Sequence, residues 1–139
     1  ARGTTVLSYA QRHRGIPVDG AVVTFAFDTL GRLRAAHSSA QEVRLTDVEA
    51  KISALAAKRA AHGGLHRPSK ASPRSLAAGK AELLILPRGG GQLVYAVTLP
   101  LTLDPAGRQH LIDAKSGRYL ARRRGVLWHR SPHHRGGKR

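Results

Sequence analysis

The run Val22, Val23, Thr24, Phe25, Ala26, Phe27, closed at once by Asp28, Thr29, Leu30 and Gly31, constrains the fold of this chain more than any other stretch. Val23, Phe25 and Phe27 fall on one face and Val22, Thr24 and Ala26 on the other, the period-two pattern of a half-buried strand. An aspartate that bonds its own backbone, followed by a glycine that accepts positive φ, makes 28–31 a hairpin turn. Residues 32–37 then return as a partner strand.

Upstream, residues 6–13 read as a short helix with Thr4 or Thr5 as N-cap and Gly15 at its left-handed end. Pro17 forbids further helix and favours an extended Ile16. Downstream, Thr46 with Glu49 three residues on forms a capping box for a helix over 46–62. Its apolar residues Val48, Ile52, Leu55, Ala56 and Ala60 keep helical spacing, while Lys51, Lys58 and Arg59 mark the outer face. Residues 63–81, rich in Gly, Pro, Ser and Lys, read as a mobile linker. Strand-like runs follow at 82–86, 92–103, 109–113 and 118–122, with Pro100 marking an edge or a bulge. A helix followed by an antiparallel meander makes the fold class α+β, expected as two small modules, each a helix packed on an antiparallel sheet.

The 139 residues suffice for one compact domain or two small modules. There are no cysteines, so neither a disulfide framework nor a thiolate metal site is expected. No apolar run approaches the roughly 20 residues of a membrane-spanning helix, so no membrane insertion is expected. Lys and Arg number 24 against 8 Asp and Glu, a net charge of +16. The excess gathers in 63–81 and in 117–139, and its physical implication is an acidic partner surface or a polyanion.

Tyr9, Gln11, Gly15, Pro17 and Val18, set before the alternating strand, resemble the opening signature of the prodomains of thermolysin-like and fungalysin-like secreted zinc metallopeptidases, whose first module is called FTP. The 46–62 helix, Tyr95 and Val97 in the following strand, and Ile112, Asp113, Ala114, Gly117 and Leu120 in a hairpin are similar to a PepSY module. Together the resemblances cover roughly 5–122. They imply an FTP-like module at 1–41, a PepSY-like module at 42–124 with a basic linker at 63–81, and a basic tail at 125–139. The charge is higher than the family pattern, and the linker longer and more basic.

The resemblance implies a non-catalytic prodomain, secreted or periplasmic, that acts as intramolecular chaperone and inhibitor of a cognate zinc metallopeptidase domain. The C-terminal segment would run to the peptidase cleft. There Trp128 could anchor in an apolar subsite, and His129, His133 or His134 could approach the catalytic zinc. The His pair also reads as part of a solvated basic tail, since it lacks the spaced third ligand of a self-sufficient metal site. Arg122, Arg123 and Arg124 read as an acid-seeking patch, a processing site or the solvated end of a strand. No His-Glu-x-x-His and no Gly-x-Ser-x-Gly occurs, so neither enzyme activity nor a cofactor is expected. A nucleic-acid or polyanion binder is the alternative reading, although aromatics for base stacking are few. A third is an interaction module whose sheet edge near Pro100 pairs with a partner strand.

Overall fold

In the computed structural model, which describes residues 3–65 and 70–125, the amino-terminal segment is a strand and not a helix. β1 (Thr5–His13) turns back antiparallel into β2 (Ile16–Phe27) through Arg14 and Gly15. Both turn residues have positive φ, 51° and 84°. That is the geometry of a two-residue hairpin whose twist matches its strands. A glycine suited to the left-handed region ends helices and closes hairpins equally well, and 6–13 is too short to fix its period, so local signals misassigned this stretch.

The fold is α+β, with seven strands in a mostly antiparallel sheet and two short α-helices among the described residues. Hydrogen-bonded neighbours run β1, β2, β4 (Lys80–Leu86), β5 (Gln92–Thr98), β6 (Gln109–Asp113), β7 (Tyr119–Arg123), with β3 (Leu33–Ser38) also on β2. The described residues divide into two compact units, 3–50 with 83–94, and 51–82 with 95–125. The first holds no α-helix among its described residues, against the expectation of a helix on each sheet.

In the first unit, β1 and β2 pair regularly from Thr5 opposite Phe27 to Ala10 opposite Val22, and pairing resumes with Arg12 opposite Pro17. Gln11 alone therefore faces residues 18–21 of β2, a large bulge that frees that part of the strand. Val18, only 4% exposed, uses this freedom to pair in parallel with Ile85 of β4. The 28–31 turn forms as its residue types require. The Asp28 carboxylate accepts from the N–H groups of Leu30 and Arg32 at 2.9 and 3.0 Å and from Arg32 Nε at 3.0 Å. The Arg32 N–H is the largest influence holding that carboxyl below its ordinary value.

β1, β2 and β3 place Leu7, Tyr9, Phe25, Phe27 and Leu33 on one face of their antiparallel ribbon. Leu7, Tyr9 and Leu33 are 42%, 57% and 55% exposed, an apolar surface unusual for a face left to water. The core of this unit lies elsewhere, at Val18, Ala21, Ile85, Leu86, Leu93 and Val94.

In the second unit the helix starts later than the capping box suggests. α1 (Ala54–Gly63) is capped by Ser53, whose Oγ accepts from Ala56 N at 3.0 Å. Asp47 takes the Glu49 N–H, and the N–H groups of Lys51 and Ile52 donate to the Ala114 carbonyl, so 46–52 are spent on loop contacts. Ala57 and Ala61, one helical turn apart, are fully buried. The expected Val48, Ile52, Leu55, Ala56 and Ala60 are half-buried, and the positions that pack most closely are these two small alanines, whose side chains let a helix approach closely. The expected linker contains α2 (Pro73–Ala77), started by a Ser72 cap and a proline in its first turn. β5 stops at Thr98, and Pro100 lies in the turn beyond it, its carbonyl accepting from Leu103 and Asp104 at 2.8 and 2.9 Å.

Candidate functional site

β6 carries a histidine into the interior. His110 is fully buried, as are Ile112 and Val97, all at 0% exposure. A buried imidazole needs partners on both ring nitrogens, and it has them. Nε2 lies 2.8 Å from Asp104 Oδ2 and Nδ1 lies 2.8 Å from the Tyr119 hydroxyl. A carboxylate only accepts, so Nε2 carries the hydrogen, and the Tyr119 O–H donates to Nδ1 in the neutral ring. Burial first, with the nearby Asp104 charge assisting, raises the Tyr119 hydroxyl above its ordinary value against the opposing Arg122 and Arg108 charges. The Tyr119 ring lies where a side chain on Gly64 would stand, with Cδ2 2.6 Å from that position.

The turn after β5 positions the acid. Gly107 N donates to the Asp104 carbonyl at 2.9 Å, and the Asp104 carboxylate also accepts the Arg108 N–H at 3.3 Å. Arg108 thereby stands beside β7. A hollow of about 500 Å³ is lined by Ala106, Arg108, Arg122, Arg123 and Arg124. A smaller one of about 220 Å³ shares Ala106, Arg108 and Arg122 and reaches Asp104 and His110. Among the described residues, the guanidinium groups of Arg108, Arg122 and Arg124 make no salt bridge. Arg123 Nε donates to Gln109 Oε1 at 2.7 Å, holding its stem across the β6–β7 hairpin.

Of the residues singled out from sequence, Arg122, Arg123 and Arg124 meet in this hollow. Trp128, His129, His133 and His134 lie outside the described residues. Asp113 and Gly117 shape the β6–β7 turn, with Asp113 Oδ1 accepting from Lys115 N at 2.7 Å and the Asp113 carbonyl from Gly117 N at 2.8 Å. Tyr95 donates to the Ile52 carbonyl at 3.0 Å and Val97 is core. Sequence reasoning missed Asp104, His110, Tyr119 and Arg108. A histidine inside an apolar strand was the available signal, because such a residue needs an acid or a hydroxyl close by. Among the described residues no three acidic or histidine side chains gather to hold a metal, and no helix is long and apolar enough to cross a membrane.

The signature residues of the first unit form a lock of their own. Gln11 Nε2 donates to the Gln41 carbonyl at 2.7 Å and Gln11 Oε1 accepts from Gln41 N at 2.9 Å. The side chain at the bulge thus pairs with backbone as a strand residue would. His13 Nε2 donates to the Leu45 carbonyl at 2.6 Å. Tyr9 meets Phe25 edge-on at 6.3 Å, Gly15 takes the positive-φ turn, Pro17 pairs with Arg12 and Val18 is buried. Residues 1–40 match the Fungalysin/Thermolysin Propeptide Motif.

The resemblance carried by Tyr9, Gln11, Gly15, Pro17 and Val18 is borne out over that segment. The propeptide motif takes in β1, β2 and β3 and stops one residue short of Gln41, whose backbone Gln11 holds. No match to the chain was found among curated proteins. Among solved structures, the C-terminal domain of YpeB from Bacillus megaterium is similar, with a TM-score of 0.50 at 14% identity. The likeness covers 91% of this chain and 53% of that one, so this chain spans about half the length of that structure. At this identity the likeness speaks for the fold alone.

Proposed function

We propose that this chain is a non-catalytic prodomain that acts as intramolecular chaperone and inhibitor of a thermolysin-like zinc metallopeptidase, outside the cytoplasm. The match of residues 1–40 to a fungalysin and thermolysin propeptide motif carries this reading. In it, 1–41 is an FTP-like module, 42–124 a PepSY-like module and 125–139 a basic tail directed to the peptidase cleft. A chaperone of this kind binds the native-like peptidase and not the unfolded chain, stabilising it by mass action. The exposed apolar ribbon face at Leu7, Tyr9 and Leu33 supports a docking surface for the peptidase, and Arg122, Arg123 and Arg124 support contact with acidic groups on it.

Inhibition of a thermolysin-like peptidase by the chain, at low and high salt, tests the proposal. Tight inhibition that weakens with salt is expected, because charge steers the encounter. Removing 124–139 with folding preserved should abolish inhibition. Inhibition unchanged by the trimming would sink the cleft-blocking role of the tail, and no inhibition by the intact chain would sink the prodomain role. The second reading, a polyanion binder, draws on the net charge of +16. It predicts steeply salt-dependent DNA binding without inhibition.

A further inference from the structure

Four arginines from two separate segments line one hollow of about 500 Å³, with Ala106 as its remaining lining residue. The arrangement is built into the fold. The Asp104 carboxylate holds the Arg108 backbone, Gln109 holds Arg123, and Gly125 passes so close to the Gly107 carbonyl that no side chain would fit there. That approach keeps the chain leaving β7 beside the turn that carries Arg108.

We propose that this hollow is a receptor for clustered carboxylates, those of an Asp- or Glu-rich polypeptide segment of a partner. The inference rests on the reading of Arg122, Arg123 and Arg124 as partner-facing and adds Arg108 and the ligand class. Like charges left together repel, and among the described residues the guanidinium groups of Arg108, Arg122 and Arg124 make no salt bridge to an acid. The planar guanidinium fork matches a carboxylate in two parallel hydrogen bonds. The lining has no aromatic ring, so a nucleic acid would find charge there but no platform for its bases.

The test is calorimetric titration of a glutamate oligopeptide into the full chain, with Arg108→Gln/Arg122→Gln as the site variant and Arg74→Gln/Arg118→Gln as a control of equal charge change. Circular dichroism checks that both variants fold. The site variant should weaken binding about tenfold, while the control should change it by less than about twofold. Equal weakening in both variants would reduce the hollow to part of a diffuse field and overturn the proposal. So would tighter binding of single-stranded DNA than of the peptide, lost in the same site variant. The titration uses no peptidase: peptide binding without inhibition would sink the prodomain reading alone, and inhibition without peptide binding would sink this inference alone.

Discussion

His110 Nε2 and Asp104 Oδ2 lie 2.8 Å apart with both side chains out of water. The same oxygen accepts the backbone N–H of Arg108, so the acid that satisfies a buried ring also sets a residue on the lip of the arginine hollow. Core and surface chemistry are joined at this carboxylate. Asp104→Ala strands Nε2 without a partner and should destabilise the fold by about 1–3 kcal/mol. Asp104→Asn keeps an acceptor and should cost less. Urea unfolding of the two variants measures the difference, and equal losses would mean that the buried pair contributes nothing beyond packing.

Tyr119 predicts a pH dependence. Its folded value is raised above the ordinary 10.0, so folding favours the neutral hydroxyl that donates to His110. That contribution is complete below pH 10.0 and is lost as pH rises through the folded value. The melting temperature should therefore fall more steeply above pH 10 in the native chain than in Tyr119→Phe. The variant, lacking the hydroxyl, should itself be less stable by about 1–3 kcal/mol at neutral pH. Parallel curves for the two proteins would dismiss the linkage.

Gly64 predicts a steric constraint on the same network. A Cβ there would sit 2.6 Å from Tyr119 Cδ2, and the ring cannot retreat without leaving His110. Gly64→Ala should cost about 1–3 kcal/mol, the usual penalty of overpacking. The double variant with Tyr119→Phe should be less than additive, because the phenyl ring has no hydrogen bond left to keep. Full additivity in thermal melts would show that the two positions act separately.

Gln11 predicts a local effect in the propeptide motif. Gln11→Ala removes both bonds to the Gln41 backbone and should cost about 1–3 kcal/mol, since each such bond contributes about 0.5–1.5 kcal/mol. Gln11→Glu keeps the acceptor and loses the donor, so it should fall between. Hydrogen exchange at the Gln41 amide is the direct readout. Unchanged protection there would rule out the lock.

Where a structural decision rests on a few adjacent residues, it was legible. Asp28 to Gly31 and Asp113 to Gly117 form the turns their residue types require, and β6 has the expected bounds. Where a decision depends on a distant partner, local signals were ambiguous. Thr46 and Glu49 satisfy a capping pattern, yet Ala114, more than 60 residues away, takes the N–H groups of Lys51 and Ile52 and defers the helix to Ser53. Of the candidate site, Arg122, Arg123 and Arg124 were legible as charge, whereas their association with Arg108 required the register that sets Arg122 opposite His110.

The sequence by itself determined the α+β class, the 28–31 and 113–117 turns, the basic excess and the propeptide signature, because each follows from side-chain pattern or backbone preference over a short span. Tertiary structure decided that Thr5–His13 is a strand, that Gln11 bridges a bulge to Gln41, and that Asp104, His110 and Tyr119 form one buried chain of hydrogen bonds. The reason is physical. A strand acquires hydrogen-bond partners only from another strand, and a buried polar group only from whichever residues the fold brings beside it.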